Sequence, residues 1–247
     1  MFNGRIYIDK GGEKGALLIH GFTSCTYQLK EMADFLANKG ITVLAPLVAG
    51  HGTQPEDLAK TDASDWLRSV EIPLEFLQSR VKKLYVIGNS FGGNLAFELA
   101  KKYEVAGVIS LSTPIFLSHH GWIKLRLKTD YRFRKNYCKV TRFFMADYDN
   151  FSDEVIYSTI PIKSLHDFLN FIKEKTIPHL AEIKDPALII HTTKDQVIKP
   201  KSAQYIYDHL GSAKKEIHWV KSFNHEITRA KKRDDVFEKI YQFIRDN

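Results

Sequence analysis

Apolar residues run along this chain in two alternating rhythms. Short, almost unbroken apolar runs occur at Gly15–Ile19 (GALLI), Ile41–Ala45 (ITVLA), Leu84–Ile87 (LYVI), Val105–Leu111 (VAGVISL) and Ala187–His191 (ALIIH). They read as strands, and so do Arg5–Asp9 (RIYID) and Glu216–Val220 (EIHWV). Between them, apolar residues recur every three or four positions, the spacing of one helix face. Tyr27–Lys39 carries Leu29, Met32, Ala33, Leu36 and Ala37 on one side and stops at Gly40. Asp62–Ser79 reads as a helix with a kink or break at Pro73, and Leu95–Tyr103 and Phe237–Ile244 as two more. Strands that are apolar throughout belong to a sheet covered on both faces, and strict alternation with helices makes that sheet mostly parallel. In such sheets the reactive groups gather beyond the carboxyl ends of the strands.

The rhythm breaks from about 114 to 180, where no strand pattern is visible and the apolar spacing suits helices. The expected organisation is therefore a core of 1–113 and 181–247, with 114–180 inserted as a helical cap over the strand ends.

Composition narrows the class. With 44% hydrophobic and 26% charged residues, the chain can bury a substantial core. Its net charge of +7 comes with no nucleic-acid-binding motif, so no nucleic-acid partner is expected. Its two cysteines, Cys25 and Cys138, lie far apart and in no metal-type spacing. The N-terminal stretch has no apolar signal-peptide core, and no apolar run is long enough to span a bilayer. A cytoplasmic protein is the expectation. The adjacent pair His119-His120 lacks a spaced third ligand, so no metal site is expected there. Trp122–Arg142 is strongly basic, with Leu125, Leu127, Phe133 and Tyr137 interleaved. It reads either as a solvated face or as a weak attraction to anionic lipid or acidic substrates.

The chemistry concentrates in four loops. Gly88-Asn89-Ser90-Phe91-Gly92 matches G-x-S-x-G, directly after the strand LYVI and before the helix from Leu95. A serine at a sharp strand-to-helix turn is lifted above the sheet, and the glycines leave space where side chains would collide. His20-Gly21-Phe22 follows the early strand GALLI, the place from which this kind of site takes one oxyanion-binding N–H; the residue after the nucleophile gives the other. The expected donors are the backbone N–H groups of Phe22 and Phe91, with His20 holding the loop. A serine hydroxyl needs a base, and in the fold in which G-x-S-x-G sits on a strand-to-helix turn the chain order is Ser, then Asp or Glu, then His. Asp195 lies in the loop after ALIIH, whereas Asp185 precedes that strand and Asp208 sits in a helical pattern. His225 lies in the loop after EIHWV, whereas His218 is within the strand and His209 in a helix. Ser90, Asp195 and His225 are thus the candidate nucleophile, orienting acid and base.

Taken together, Leu18-Ile19-His20-Gly21-Phe22-Thr23, Ala45-Pro46 with Gly50-His51-Gly52, Gly88-Asn89-Ser90-Phe91-Gly92-Gly93, Asp195 before Val197, and Asn224-His225-Glu226 resemble the small carboxylesterases and monoacylglycerol lipases of the α/β-hydrolase superfamily. The resemblance covers the chain outside the expected cap. It implies the α/β-hydrolase fold, a structural turn at Gly50-His51-Gly52, and a serine carboxylic ester hydrolase that cleaves small to medium acyl esters without cofactor or metal. Asn89 departs from the leucine-like residue many relatives carry beside the nucleophile. The same triad also suits a monoacylglycerol lipase, a feruloyl esterase or an acyl thioesterase, and more remotely an amidase. A reading of another class is a catalytically dead hydrolase fold used for binding. Phe22, Phe91, Ile115 and Phe116 are expected to line the substrate pocket, and a small-molecule ester is the expected partner. Oligomeric state is not legible.

Overall fold

In the computed structural model, residues 4–118, 136–138, 157–222 and 224–247 are described. Seven strands form the central sheet: β1 (Ile6–Ile8), β2 (Lys14–Ile19), β3 (Thr42–Ala45), β4 (Lys83–Asn89), β5 (Gly107–Leu111), β8 (Ala187–Thr192) and β9 (Lys215–Val220). Their order is β1-β3-β2-β4-β5-β8-β9. Within this sheet, among the described residues, only β1 runs antiparallel to its neighbour; its other pairings are parallel. This is the mostly parallel sheet the alternation predicts, in the α/β-hydrolase arrangement the resemblance implies.

Period-two alternation within the strands sorts their side chains onto two buried faces. Leu17, Ile19, Val86, Val108 and Ile189 face one layer, made by α3 (Ala63–Gln78) and α4 (Phe91–Lys102). Ala16, Leu18, Tyr85, Ile87, Ile109, Leu188 and Ile190 face the other, made by α1 (Lys30–Asn38) and α7 (Arg233–Asp246). Two packed cores explain why the inner strands read as unbroken apolar runs. The edge strand β9 keeps Glu216 and Trp219 exposed, one on each face, and buries only Val220 fully.

Several boundaries differ from expectation for identifiable reasons. The helix expected over Tyr27–Lys39 is a 3₁₀ turn, Thr26–Leu29, followed by α1. α3 runs through Pro73 without a break. It is anchored at its start by a capping box: the Asp62 carboxylate accepts from the N–H groups of Ser64 and Asp65, and Asp65 accepts from the Asp62 N–H at 3.1 Å. Trp66, Val70, Leu74 and Leu77 bury its inner face. The closing helix is longer than the expected Phe237–Ile244, because its first turn is charged and shows no apolar period.

The segment expected to be helical contains two short strands, β6 (Asn136–Cys138) and β7 (Thr159–Pro161), paired antiparallel. Three residues are too few to display a strand period. Helical structure follows them in α5 (Ile162–Phe171), a π-helical turn over Ile172–Thr176 and a 3₁₀ turn over Ile177–Glu182. His119-His120 and most of the basic stretch Trp122–Arg142 lie outside the described residues. Among the described residues no helix is long and apolar enough to cross a membrane. Helices α2 (Pro55–Ala59) and α6 (Lys201–His209) complete the set.

Candidate active site

Ser90 stands alone between β4 and α4, with φ 52° and ψ −122°. This left-handed backbone is costly for a non-glycine residue and persists only where its surroundings impose it. The surroundings do so by close approach. A Cβ on Gly88 would lie 2.1 Å from the Gly92 carbonyl oxygen, and a Cβ on Gly92 would lie 2.1 Å from the Ile19 carbonyl oxygen. The turn is thus pressed onto the end of β2. The Ser90 N–H is tied to the Leu111 carbonyl at 2.7 Å and the Gly93 N–H to the Ser90 carbonyl at 2.9 Å. The hydroxyl is presented where α4 begins, at the helix end whose N–H groups have no intrahelical acceptor.

His20, Gly21 and Phe22 form the loop after β2. His20 is buried, and burial lowers its pKa from 6.5 to about 4, so the ring is neutral. Its Nε2 accepts from the Val48 N–H at 3.0 Å, so Nδ1 carries the proton and donates to the Gly21 carbonyl at 2.9 Å. The Ser24 N–H donates to the same carbonyl at 3.2 Å. With that oxygen fixed, the trans peptide turns the Phe22 N–H the opposite way. Gly21 lies against Ser90, because an added Cβ would come within 3.3 Å of Ser90 Cβ. Thr23, a β-branched residue at φ 64°, completes the turn, and its carbonyl accepts from the Tyr157 N–H at 2.8 Å. Gly50 and Gly52, at φ 74° and 70°, flank His51 in the neighbouring loop, whose ring stands 5.3 Å from that of His20. The Tyr157 hydroxyl donates to the Gly50 carbonyl at 3.1 Å and accepts from the Thr53 N–H at 2.9 Å, bridging this loop to the first.

Asp195 leaves β8 in a tight turn. Its Oδ1 accepts from the N–H groups of Val197 and Ile198, both at 2.8 Å, which leaves Oδ2 to face the histidines. His225 Nδ1 lies 2.8 Å from Asp195 Oδ2, and His225 Nε2 lies 3.0 Å from Ser90 Oγ. Nδ1 therefore donates to the carboxylate while Nε2 is available to accept the serine proton. Burial pushes the Asp195 carboxyl up, but the adjoining His225, with His191 and the Ile198 N–H, more than reverses this and holds it below the usual carboxylate range. His191, buried at the end of β8, has Nε2 3.5 Å from Asp195 Oδ2. Its pKa is lowered to about 4, chiefly by burial, so it too is neutral.

The rejected candidates stand elsewhere. Asp185 precedes β8, and burial raises its pKa. Asp208 accepts from Gln204 on an exposed helix face at 2.8 Å. His209 stacks on Tyr205 at 3.8 Å, and His218 lies within β9.

Two of the four expected pocket residues meet in one aromatic group. The half-buried Phe22 ring stacks on Phe168 of α5 at 4.8 Å and meets Phe91 edge-on at 5.7 Å. Trp66 and Phe171 close around Phe91 at 5.5 Å and 5.2 Å. Among the described residues Phe116 meets rings and charge on α6, with Tyr205 at 5.3 Å and the Lys201 ammonium at 4.3 Å, and packs against the same apolar cluster as Phe22. Ile115 is buried in the core. Phe168 and Phe171 were not singled out from sequence. Their signal was the three-residue step Leu165, Phe168, Phe171, which marks a buried helix face without saying what it covers.

A family model described as Serine aminopeptidase, S33 matches residues 13–232. The chain is 27% identical over 240 residues to a carboxylesterase of Bacillus subtilis strain 168, covering 95% of this chain and 94% of that protein. It is also 27% identical over 245 residues to a thermostable monoacylglycerol lipase of Bacillus sp. strain H-257, with 96% and 93% covered. Among solved structures, one described with LipS and LipT, two metagenome-derived lipolytic enzymes, matches with a TM-score of 0.89 at 25% identity over 99% of both chains. A monoacylglycerol lipase of Paleococcus ferrophilus shares the fold, with a TM-score of 0.78 at 17% identity over 97% of both chains. A family model that spans nearly the whole chain, together with a nucleophile turn, acid and histidine in hydrogen-bonded sequence, means that the chain belongs to the serine aminopeptidase, S33 family of α/β-hydrolase-fold proteins.

Proposed function

We propose that this chain is a carboxylic ester hydrolase, a carboxylesterase acting on small to medium acyl esters through an acyl-enzyme. One observation carries the reading: a continuous hydrogen-bonded line from Ser90 Oγ to His225 Nε2 at 3.0 Å and from His225 Nδ1 to Asp195 Oδ2 at 2.8 Å. Ser90 Oγ attacks the ester carbonyl carbon as its proton passes to His225 Nε2. The oxyanion of the tetrahedral intermediate is met by the N–H groups of Phe22 and Phe91, and loss of one such donor typically costs about 3–4 kcal/mol. The carbon–oxygen bond breaks, and the leaving alcohol takes the proton from His225. Water then gives a proton to the same nitrogen and attacks the acyl carbon; the acyl–Oγ bond breaks, His225 returns the proton to Ser90 Oγ, and the acid is released. Asp195 fixes the imidazole tautomer and stabilises the imidazolium. No step needs a cofactor.

The segment 114–180 is the cap in this reading. Its helix α5 brings Phe168 onto Phe22 beside the nucleophile, and the two rings form one apolar wall of the substrate pocket with Phe91 beneath. Monoacylglycerols are the second reading of the substrate, supported by the name of a relative aligned over nearly its full length.

The test is covalent labelling with a fluorophosphonate, followed by hydrolysis of p-nitrophenyl esters from acetate to palmitate, a monoacylglycerol, methyl ferulate and an aminoacyl p-nitroanilide. The reading expects Ser90 to be labelled and the esters to be cleaved faster than the anilide. Absence of labelling, or preference for the anilide, overturns it.

A further inference from the structure

One buried carboxylate beside the triad has no part in the steps above. Glu226 follows His225 and is 9% exposed. Its Oε2 accepts from two neutral carboxamides, Gln28 Nε2 and Asn89 Nδ2, the latter at 3.2 Å. The orientation of Gln28 is settled by its other end, where Oε1 accepts from the Gly21 N–H at 2.8 Å. A backbone N–H requires an acceptor, so Nε2 must face Glu226. The groups joined in this way belong to three different loops: Gly21 to the loop after β2, Asn89 to the nucleophile turn, and Glu226 to the histidine loop. Two further bonds tighten the same junction. The Glu226 N–H donates to Asn224 Oδ1 at 3.2 Å, and Thr228 Oγ1 donates to the Gln28 carbonyl at 3.2 Å.

We propose that Glu226 is a positioning residue that acts through Gln28 to set the Phe22 N–H against Ser90. The inference rests on the ester-hydrolase reading of the site. The physical chain is short. Gly21 is pinned at both ends, its carbonyl by His20 and Ser24 and its N–H by Gln28. The next N–H along the chain is that of Phe22. Gln28 can hold Gly21 only if its own amide is held, and Glu226 is the acceptor that holds it. Because Glu226 also accepts from Asn89, movement of the Gly21 loop relative to the nucleophile turn breaks a buried hydrogen bond, which the low-polarity surroundings make costly. Asn89, where many relatives carry a leucine-like residue, is thereby the link between the carboxylate and the nucleophile.

A swap of the two side chains tests this. In Gln28→Glu two carboxylates face each other, and kcat is expected to fall about tenfold to a hundredfold from a displaced donor, with KM within about twofold. Glu226→Gln keeps one acceptor oxygen and falls less. The double variant Gln28→Glu/Glu226→Gln restores the polarity, because the carboxylate placed at position 28 again accepts from the Gly21 N–H and now accepts from the amide at position 226. Its kcat is expected to recover to within about threefold of Glu226→Gln, a coupling that only directly interacting residues give. Binding of an alkyl trifluoromethyl ketone, which forms a tetrahedral adduct on the nucleophile, weakens in parallel with kcat/KM. Gln28→Met removes both bonds without adding charge and gives the same kcat loss, which covers the case in which Gln28→Glu does not fold. A double variant no better than Gln28→Glu, or a Gln28→Met variant with wild-type kcat, overturns the proposal. Wild-type protein inactive on every ester overturns the ester-hydrolase reading instead.

Discussion

Ser90 holds a backbone conformation that serine adopts only under constraint, and the constraint is packing rather than sequence preference. The turn around Ser90 is therefore shaped by its surroundings, and removing the hydroxyl is expected to leave the fold intact. Ser90→Ala is expected to abolish ester hydrolysis with an unchanged unfolding midpoint; a variant retaining a substantial fraction of kcat in contaminant-free preparations refutes the nucleophile. Asp195→Asn keeps the shape of the turn but replaces the acceptor that fixes the His225 tautomer, and the serine-protease precedent puts the loss near ~10⁴ in kcat. Asp185→Asn and Asp208→Asn, neither of which contacts His225, serve as controls, and a crippled control would show the acid to be misassigned. At this scale much was legible. Each triad candidate lies just beyond a strand end, so knowing the strands located the groups. Gln28 was not legible: a glutamine between Tyr27 and Leu29 looks like the polar side of a helix, and only the 3₁₀ turn at Thr26–Leu29 carries it inward. His191 was likewise hidden, because a histidine ending an apolar strand looks like ordinary core.

At the scale of elements, the proposed pocket draws on α5 as well as on the loops. Sequence nominated Phe22, Phe91, Ile115 and Phe116 as its lining, and all four pack in one apolar cluster with Phe168. Within that cluster the Leu117–Ile198 bridge sets Phe116 beside Tyr205 of α6. The ring that reaches the nucleophile's neighbour comes from α5, remote in sequence. Strand ends were legible because parallel strands repeat one simple pattern. The insertion was not, because its strands are three residues long and its helix shows only that one face is buried. Phe168→Leu, which retains apolar bulk, is expected to shift the ratio of kcat/KM for decanoate over butyrate esters by about tenfold, the lower end of what one methylene contact in an apolar pocket provides. Phe116→Ala is expected to shift it less. Chain-length profiles of both variants, measured with their fluorophosphonate labelling rates, check this; a larger shift for Phe116→Ala moves the pocket wall to the α6 side.

The molecule as a whole folds around neutral imidazoles, and this sets its response to acid. His20 sits under the Gly21–Phe22 loop and His191 beneath Asp195, and burial lowers the pKa of each from 6.5 to about 4. In the unfolded chain both rings take up a proton as pH falls through 6.5; in the folded protein neither does until about 4. The unfolded state therefore binds more protons between these limits, and stability declines as pH drops across the window. Below about 4 the folded rings protonate as well and their contribution to the slope ends. Each ring accounts for about 3 kcal/mol over the full window. The Asp195 carboxyl, held below the usual carboxylate range, adds loss of the same sign at the acid end. Since a domain has only about 5–15 kcal/mol of net stability, loss of this sign contributes to acid unfolding. Urea unfolding at a series of pH values from above 6.5 down to about 4 is expected to show a steady fall in midpoint. His191→Gln cannot titrate, so its curve starts lower but falls less steeply. A midpoint that is flat across the window, or a His191→Gln slope equal to that of the wild type, shows that the buried rings are not the source of acid sensitivity.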